Sequence, residues 1–370
     1  MARPEKQLRE ISRHFQIGGE FLRAAACPTG HINETWSATY NQHGARVRYL
    51  HQKINQSVFA NPVALMNNIV RVTTHLRRKL ETRNAADRAR RALAVVPARS
   101  GRPFHRDDDG EYWRTYVFIE GARNFDTVES PAQAFEAARA FGEFQSLLAD
   151  LPGARLAETI PNFHHTRKRF SAWQRAVHND PCNRAQTARP EIEFALKHEP
   201  LVDMILNAMA KGKIPRRVTH NDTKFSNVLL DAKTGEALCV VDLDTVMPGC
   251  ALYDFGDLVR STVSPAREDE RDLSKVKVRL PVFRQLAQGY FSTAGDFLTR
   301  AEKSRLAFAG KLITFETGLR FLTDYLNGDT YFRTRRPGQN LDRCRVQFKL
   351  VERLERQEEA MQKFVDGLSR

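Results

Sequence analysis

The sequence predicts an α+β protein of two lobes, a small β-rich N-terminal lobe over residues 1–121 and a larger, mainly helical C-terminal lobe over residues 122–370. Three observations carry this expectation. A chain of 370 residues is too long for one ordinary core. Hydrophobic residues make up 41% and charged residues 28%, the balance of a soluble globule. The hydrophobic period also changes along the chain, from near two before Gly121 to between three and four after Ser130.

The N-terminal elements follow in order. Glu20 to Cys27 reads as a short strand, and Pro28 to Asn33 as a turn. Glu34 to Tyr40 alternates Thr35, Ser37 and Thr39 against Trp36, Ala38 and Tyr40, the pattern of a half-buried strand. Asn41-Gln42-His43-Gly44 has hairpin chemistry, and Arg46 to Ile54 returns as a third strand. Asn61-Pro62 opens a helix in which Leu65, Ile69, Val72 and Leu76 share one face. Leu93 to Pro97 and Glu111 to Glu120 complete the strands, and Gly121 breaks the pattern.

Beyond it, Ser130-Pro131 is a helix cap followed by a first-turn proline, and Phe135, Ala138, Phe141, Phe144 and Leu148 mark a buried stripe. Further helices are expected near 165–178, 190–210, 253–263, 281–294, 300–326 and 340–366. A hairpin interrupts them, Asn227–Asp231 and Glu236–Asp242 around a turn at 232–235.

Composition narrows the function classes. With 20 Gly and 16 Pro the chain is neither collagen-like nor broadly disordered. The net charge of +14 favours an anionic partner: a nucleotide, a nucleic acid or an acidic membrane. No apolar run approaches the roughly 20 residues of a membrane helix, and the charged start MARPEKQLREISRHFQ has no secretory core. Cys27, Cys182, Cys239, Cys250 and Cys344 are odd in number and scattered, so a disulfide framework is not expected and a reducing compartment fits. Adjacent His164 and His165 cannot face one metal from one helical stripe and read as a polar loop or cap. There is no internal repeat.

The densest chemical signal is His220-Asn221-Asp222-Thr223-Lys224-Phe225-Ser226-Asn227, an H-x-D-x-x-x-x-N pattern. Fifteen residues past Asn227 the apolar run Ala237 to Val241 ends in Asp242. Phosphoryl transfer needs these residue types: a carboxylate to orient an acceptor hydroxyl, and a second carboxylate with an amide oxygen to hold Mg²⁺ against nucleotide phosphates. Asp222 is therefore assigned as the catalytic base and Asn227 and Asp242 as metal ligands. Asp244, two residues on, keeps the same strand face and is added to the metal or substrate group. His220 is read as a brace for the loop. Asp254-Phe255-Gly256 spells a D-F-G triplet of the kind that binds metal elsewhere, but it lies at a helix start with no buried strand before it. Asp254 and Asp257 are accordingly assigned to bracing the loops.

These motifs resemble the aminoglycoside phosphotransferase and choline kinase superfamily, whose fold is protein-kinase-like. The likeness extends to Gly30–Thr35, Tyr49–Asn55, Phe118–Gly121, Val241–Gly249 and Arg320–Phe332, and is closest to the N-acetylhexosamine 1-kinase branch. It implies an ATP- and Mg²⁺-dependent kinase that phosphorylates the anomeric hydroxyl of a free N-acetylhexosamine. In that branch the position of Asp222 approaches the reacting hydroxyl, and those of Arg320 and Tyr331 contact the sugar. Arg320 is also an unusual cation in an apolar helix with Leu312, Ile313, Phe315, Leu319 and Leu322. The turn at Gly30 and Asn33 would cover the phosphates, His31 at its tip would reach the sugar, and the backbone of Glu120, Gly121 and Ala122 would meet adenine. A phosphate-binding lysine is expected on the third strand, where Gln52 and Lys53 face opposite ways; Lys53 is favoured, with the register open. The helix from Pro62 to Lys79 holds no Glu or Asp for the usual partner of that lysine.

Two rival readings stand beside this one. The first is a kinase for another small hydroxyl substrate: an aminoglycoside, a choline-like amino alcohol or a different sugar. The second is a basic nucleic-acid-binding protein on a degenerate kinase scaffold, suggested by arginines such as Arg71, Arg77, Arg78, Arg336, Arg343 and Arg345. No stacking aromatic series accompanies them, and a solvated helix face explains them as well. The expected protein is a cytoplasmic monomer with ATP and a sugar as partners, and without membrane or nucleic-acid partners.

Overall fold

A computed structural model describes residues 3–27, 32–81 and 88–368. The chain forms two compact units. The first takes the described part of Met1–Ala122 together with Asp150–Pro161 and Leu238–Met247; the second takes Arg123–Ala149, Asn162–Ala237 and Pro248–Arg370, as far as described.

The first unit is built on an antiparallel sheet. Its strands are β1 (Glu20–Ala26), β2 (Glu34–Gln42), β3 (Ala45–Lys53), β4 (Val95–Val96), β5 (His105–Arg106) and β6 (Tyr112–Val117), in the order β1-β2-β3-β6-β4 with β5 also on β6. The hairpin between β2 and β3 pairs Glu34 with Lys53, Trp36 with His51 and Tyr40 with Val47. Ala38 and Tyr40 lie on the buried face as the alternation requires. A helix that the sequence analysis did not anticipate, α1 (Arg3–Ser12), sends Leu8 and Ile11 into the same cluster as Phe15, Phe21, Tyr40, Val96 and Trp113.

Helix α2 (Pro62–Glu81) buries Leu65, Ile69, Val72 and Leu76, the predicted face. Its buried Asn68 explains why two distant segments return to this unit. The Asn68 side-chain amide donates to the Ala157 carbonyl at 2.8 Å and the Val246 carbonyl at 3.2 Å, and its oxygen accepts from the Ala157 N–H at 3.0 Å.

Two short strands, β7 (Ala122–Arg123) and β10 (Ala237–Val240), lie where the chain passes between the units. The second unit is mainly helical: α3 (Pro131–Leu148), α4 (Thr166–Asn179), α5 (Arg189–Lys197), α6 (Met204–Ala210), α7 (Ala251–Thr262), α8 (Leu280–Ala294), α9 (Arg300–Lys303), α10 (Leu306–Leu326) and α11 (Gln339–Leu368). Strands β8 (Arg217–Thr219) and β9 (Val228–Asp231) precede α7, and β11 (Met247–Gly249) leads into it. Ser130 caps α3 by accepting the Gln133 N–H, with Pro131 in the first turn. Helix α10 is buried nearly all round, so apolar periodicity gives way to a continuous apolar run. Phe315, Leu319 and Leu322 on it join Phe170 and Trp173 of α4 and Phe348 and Val351 of α11 in one core. Where α3 meets α8, a Cβ on Gly289 would stand 2.1 Å from the Phe135 carbonyl oxygen, so only glycine allows this approach.

Two expected helices are divided. The 190–210 segment breaks between α5 and α6 at the Glu199–Leu201 turn, which contains Pro200. The 300–326 segment breaks at Ser304 and Arg305, between α9 and α10. The strand expected to reach Asp242 ends at Val240 because Asp242 leaves the extended conformation.

Candidate active site

The H-x-D-x-x-x-x-N segment lies between β8 and β9 and closes in a turn at Phe225–Asn227. Asp222 is half-buried, and Asn227 is buried. The Asn227 amide nitrogen donates to the Asp222 carbonyl at 2.8 Å and to Asp222 Oδ2 at 3.1 Å. That leaves the Asn227 amide oxygen, the harder donor atom, for a cation. Lys224 Nζ stands 3.0 Å from Asp222 Oδ2. Burial opposes ionisation of Asp222, but Lys224, His220 and Arg260 outweigh it and hold the carboxyl down at about 2.

The loop is gripped from several sides. Asp254 Oδ2 accepts the His220 N–H at 2.9 Å, and Oδ1 accepts the Asn221 N–H at 2.7 Å. The Gln145 amide donates to the same carboxylate at 2.5 Å, and the Thr223 hydroxyl donates to the Asp254 carbonyl at 2.5 Å. Asp254 thus braces the loop from the first turn of α7 and does not present itself as a free metal ligand. His220 is fully buried between Phe141 and Phe144, with its Nδ1 accepting the Asp222 N–H at 3.3 Å. Asp257 pairs with Arg260 at 2.7 Å, and Arg260 lies within electrostatic reach of Asp222. Asn221 has φ +64°, in the left-handed region that asparagine adopts more readily than most non-glycine residues.

In the first unit, Asp242 and Asp244 follow β10 and have different environments. Asp242 is exposed and left-handed, with φ 61° and ψ 60°. Asp244 is buried, and Arg114 binds both its oxygens, Nη2 to Oδ2 at 3.0 Å. Asn33 Nδ2 donates to Asp244 Oδ2 at 2.6 Å. Burial works against the Arg114 charge, yet Asp244 overrides it and raises its pKa. Asp244, expected in the metal or substrate group, has its carboxylate engaged by a guanidinium and an amide, and it anchors the segment to the sheet.

Strand register places Gln52 and Lys53 of the third strand on opposite faces. Lys53 pairs across β2 with Glu34 and shares the Trp113 face; its ammonium lies 2.8 Å from Glu34 and 4.0 Å from Glu111. Gln52 points to the other face, where its side-chain oxygen accepts from Arg114 Nε at 2.9 Å. The cation beside Asp244 is Arg114 of β6 and not Lys53, because alternate residues face opposite sides of a strand. Sequence reasoning missed Arg114; Gln52 opposite it in the register was the available signal.

Asn33, expected at the phosphates, binds Asp244, and its oxygen accepts the Asn55 N–H at 3.0 Å. Gly30 and His31 lie outside the described residues. At the expected adenine contact, the Glu120 carbonyl accepts from Arg90 Nε at 2.9 Å and the Glu120 carboxylate pairs with Arg48. Gly121 has φ +65° and turns the chain into Ala122.

Arg320 and Tyr331, expected at the acceptor, come together in the second unit. The Arg320 guanidinium lies 5.0 Å from the Phe163 ring, 5.9 Å from Tyr331 and 5.3 Å from Phe332. Among the described residues it has no carboxylate partner and no hydrogen bond. Tyr331 reaches it because the chain reverses at Gly328 and Asp329, both at positive φ. Buried Asp324 fixes this reversal by accepting the N–H groups of Thr330, Tyr331 and Phe332 at 2.9, 2.8 and 2.9 Å. Nearby Arg169 donates to the Phe163 carbonyl; burial and Arg320 lower its pKa. Arg169 had no distinguishing sequence signal, whereas Asp324 lies inside the Arg320–Phe332 segment that carries the resemblance.

Comparisons with known proteins bear on the family and the fold. The model of the phosphotransferase enzyme family matches residues 32–286. An aminoglycoside phosphotransferase from Alicyclobacillus acidocaldarius superposes with TM-score 0.60 at 12% identity, over 97% of this chain and 96% of that one. A spectinomycin phosphotransferase in complex with ADP and spectinomycin gives 0.59 at 13%, over 96% and 98%. A choline kinase from Cryptosporidium parvum gives 0.56 at 13%, over 96% and 97%. At such identities the likeness is one of fold, the protein-kinase-like fold of a β-sheet N-terminal region and a helical C-terminal region.

Proposed function

This chain belongs to the phosphotransferase enzyme family, and we propose that it is an ATP- and Mg²⁺-dependent kinase that phosphorylates the anomeric hydroxyl of an N-acetylhexosamine to give the sugar 1-phosphate. The observation that carries the reading is the Asp222–Asn227 pair: a carboxylate held ionised, and an amide whose nitrogen is engaged so that its oxygen faces outward from the pair. Asp222 accepts the hydrogen bond of the acceptor hydroxyl and aligns its oxygen on the γ-phosphorus of ATP. The new O–P bond forms as the bond to the β-phosphate oxygen breaks. The hydroxyl proton passes to Asp222. A carboxylate with a pKa of about 2 is a weak base, so alignment comes first and the proton leaves late, which suits a loose transition state.

Mg²⁺ would supply positive charge to offset that of the nucleotide phosphates. Asn227 and Asp242 are the residues we assign to hold it. Asp244, Arg114 and Asn33 are assigned to fixing the segment that carries Asp242. The division into a nucleotide lobe, 1–121, and a catalytic and acceptor lobe, 122–370, belongs to the same proposal.

Acceptor identity rests on Arg320, Tyr331, Phe163 and Phe332. An unpaired guanidinium boxed by rings suits a neutral, acceptor-rich ring such as an acetamido sugar, and repels a polycationic aminoglycoside. The test is a turnover screen of N-acetylglucosamine, N-acetylgalactosamine, choline and kanamycin. The reading expects a hexosamine to be phosphorylated; exclusive turnover of choline or kanamycin would replace it with the corresponding rival.

A further inference from the structure

His164 lies outside the motif segment and is buried, with a hydrogen-bond acceptor at each ring nitrogen. Its Nδ1 is 2.8 Å from Glu316 Oε1, and its Nε2 is 2.9 Å from the Asn221 carbonyl oxygen. A backbone carbonyl cannot donate. The Glu316 carboxylate already accepts the Thr166 hydroxyl on its other oxygen at 2.5 Å. Burial works to raise the Glu316 pKa, but His164 and the Thr166 hydroxyl hold it down, so this carboxyl is ionised and cannot donate. Both ring nitrogens therefore carry hydrogen, because a neutral imidazole would aim one lone pair at an oxygen. The carbonyl so held belongs to Asn221, the left-handed residue directly before Asp222. The carboxylate that holds the imidazole lies on α10, one turn before Arg320.

We propose that His164 is a positioning residue that works as a buried imidazolium, fixing the Asn221–Asp222 peptide and tying it through Glu316 to the helix that carries Arg320. Two elements grip the peptide in opposite senses: Asp254 of α7 accepts the Asn221 N–H, and His164 donates to the Asn221 carbonyl. The charged and titratable groups facing the ring are Glu316 from α10, and Asp257 and the Tyr253 ring, 5.1 Å away, from α7; Arg169 of α4 acts on Glu316. Burial disfavours the imidazolium, but Glu316, the Asn221 carbonyl and Asp257 outweigh it and raise the pKa above 6.5. Loss of the proton leaves Nδ1–H on the carboxylate and a bare Nε2 against the carbonyl, which releases the peptide and with it the aim of Asp222.

This inference rests on the kinase reading for its kinetic arm only. Its first test is the ¹⁵N shifts of the His164 ring in the full chain at pH 7, which require no turnover. Two protonated-type nitrogens are expected; a neutral ring would overturn the proposal whatever the enzyme phosphorylates. The second test is the pH profile of kcat. The parent protein should lose activity as pH rises through the His164 pKa. In Glu316→Gln the introduced amide can donate to a neutral Nδ1 while Nε2–H still holds Asn221, so the alkaline fall should disappear. An unchanged alkaline limb in Glu316→Gln contradicts the proposal. His164→Gln should lower kcat by about ten- to a hundredfold, the scale of a small misalignment at the reacting atoms. Its KM for ATP should stay within about twofold; an effect on stability alone, with kcat retained, overturns the positioning role.

Discussion

Asp222 concentrates the residue-scale argument. Its carboxyl is held at about 2 against an ordinary value of 3.8, so its contribution to stability is full above about pH 4 and is lost as pH falls through the lower value. Lys224 is the first of the charges that hold it there. Lys224→Met should raise the Asp222 pKa and move the acid limb of kcat upward, which a pH–rate profile reads directly. Asp222→Asn should lower kcat by about 10²- to 10⁴-fold, the usual worth of a positioned general base, while nucleotide binding measured by fluorescence titration persists. Asp222 and Asn227 could be singled out in the sequence because they share one local motif, and Asp254 because it opens a D-F-G triplet at a helix start. Arg114 and Glu316 could not be: one depends on strand register, and the other lies 152 residues from the histidine it binds. His165 takes the cap position expected of the histidine pair, at the start of α4, whereas His164 turns inward to the catalytic loop.

At the scale of elements, β6 and the segment after β10 are joined by the Arg114–Asp244 pair, with both side chains almost fully buried. Arg114→Met leaves a buried carboxylate whose side-chain partner among the described residues is Asn33. It should cost about 3–5 kcal/mol in a urea unfolding experiment, the range for breaking one side of a buried pair. The reversal after α10 depends in the same way on Asp324. Asp324→Ala frees three N–H groups and the Asn340 amide, and should raise KM for the acceptor severalfold while leaving KM for ATP unchanged. Steady-state kinetics with each substrate varied in turn separates the two. Most elements were legible from period and caps: β2, β3, α2 and α3 start within a residue of their expected positions. Helix α1 was not read as a helix because its apolar positions, Leu8 and Ile11, are few among charges. The breaks in α5–α6 and α9–α10 escaped notice because short interruptions leave helical spacing intact on both sides.

At the scale of the whole molecule, four of the arginines behind the nucleic-acid reading have partners within the protein. Arg336 pairs with Asp342 and Asp269, Arg343 with Glu268, and Arg345 with Glu191. Arg71 donates to the carbonyls of Pro152 and Ala154. Several of the arginines that suggested a phosphate-binding stripe are thus tied to the protein itself. No helix among the described residues is long and apolar enough to cross a membrane. The family brings phosphotransferase chemistry, and the choice of acceptor is the proposal to test. The most direct measurement is NMR of the products formed from ATP, Mg²⁺ and each free sugar, choline or kanamycin in turn. The proposed function requires a new anomeric phosphate on an N-acetylhexosamine, absent with Asp222→Asn. No phosphorylated hexosamine at millimolar sugar, or a phosphate on any other hydroxyl, would contradict it.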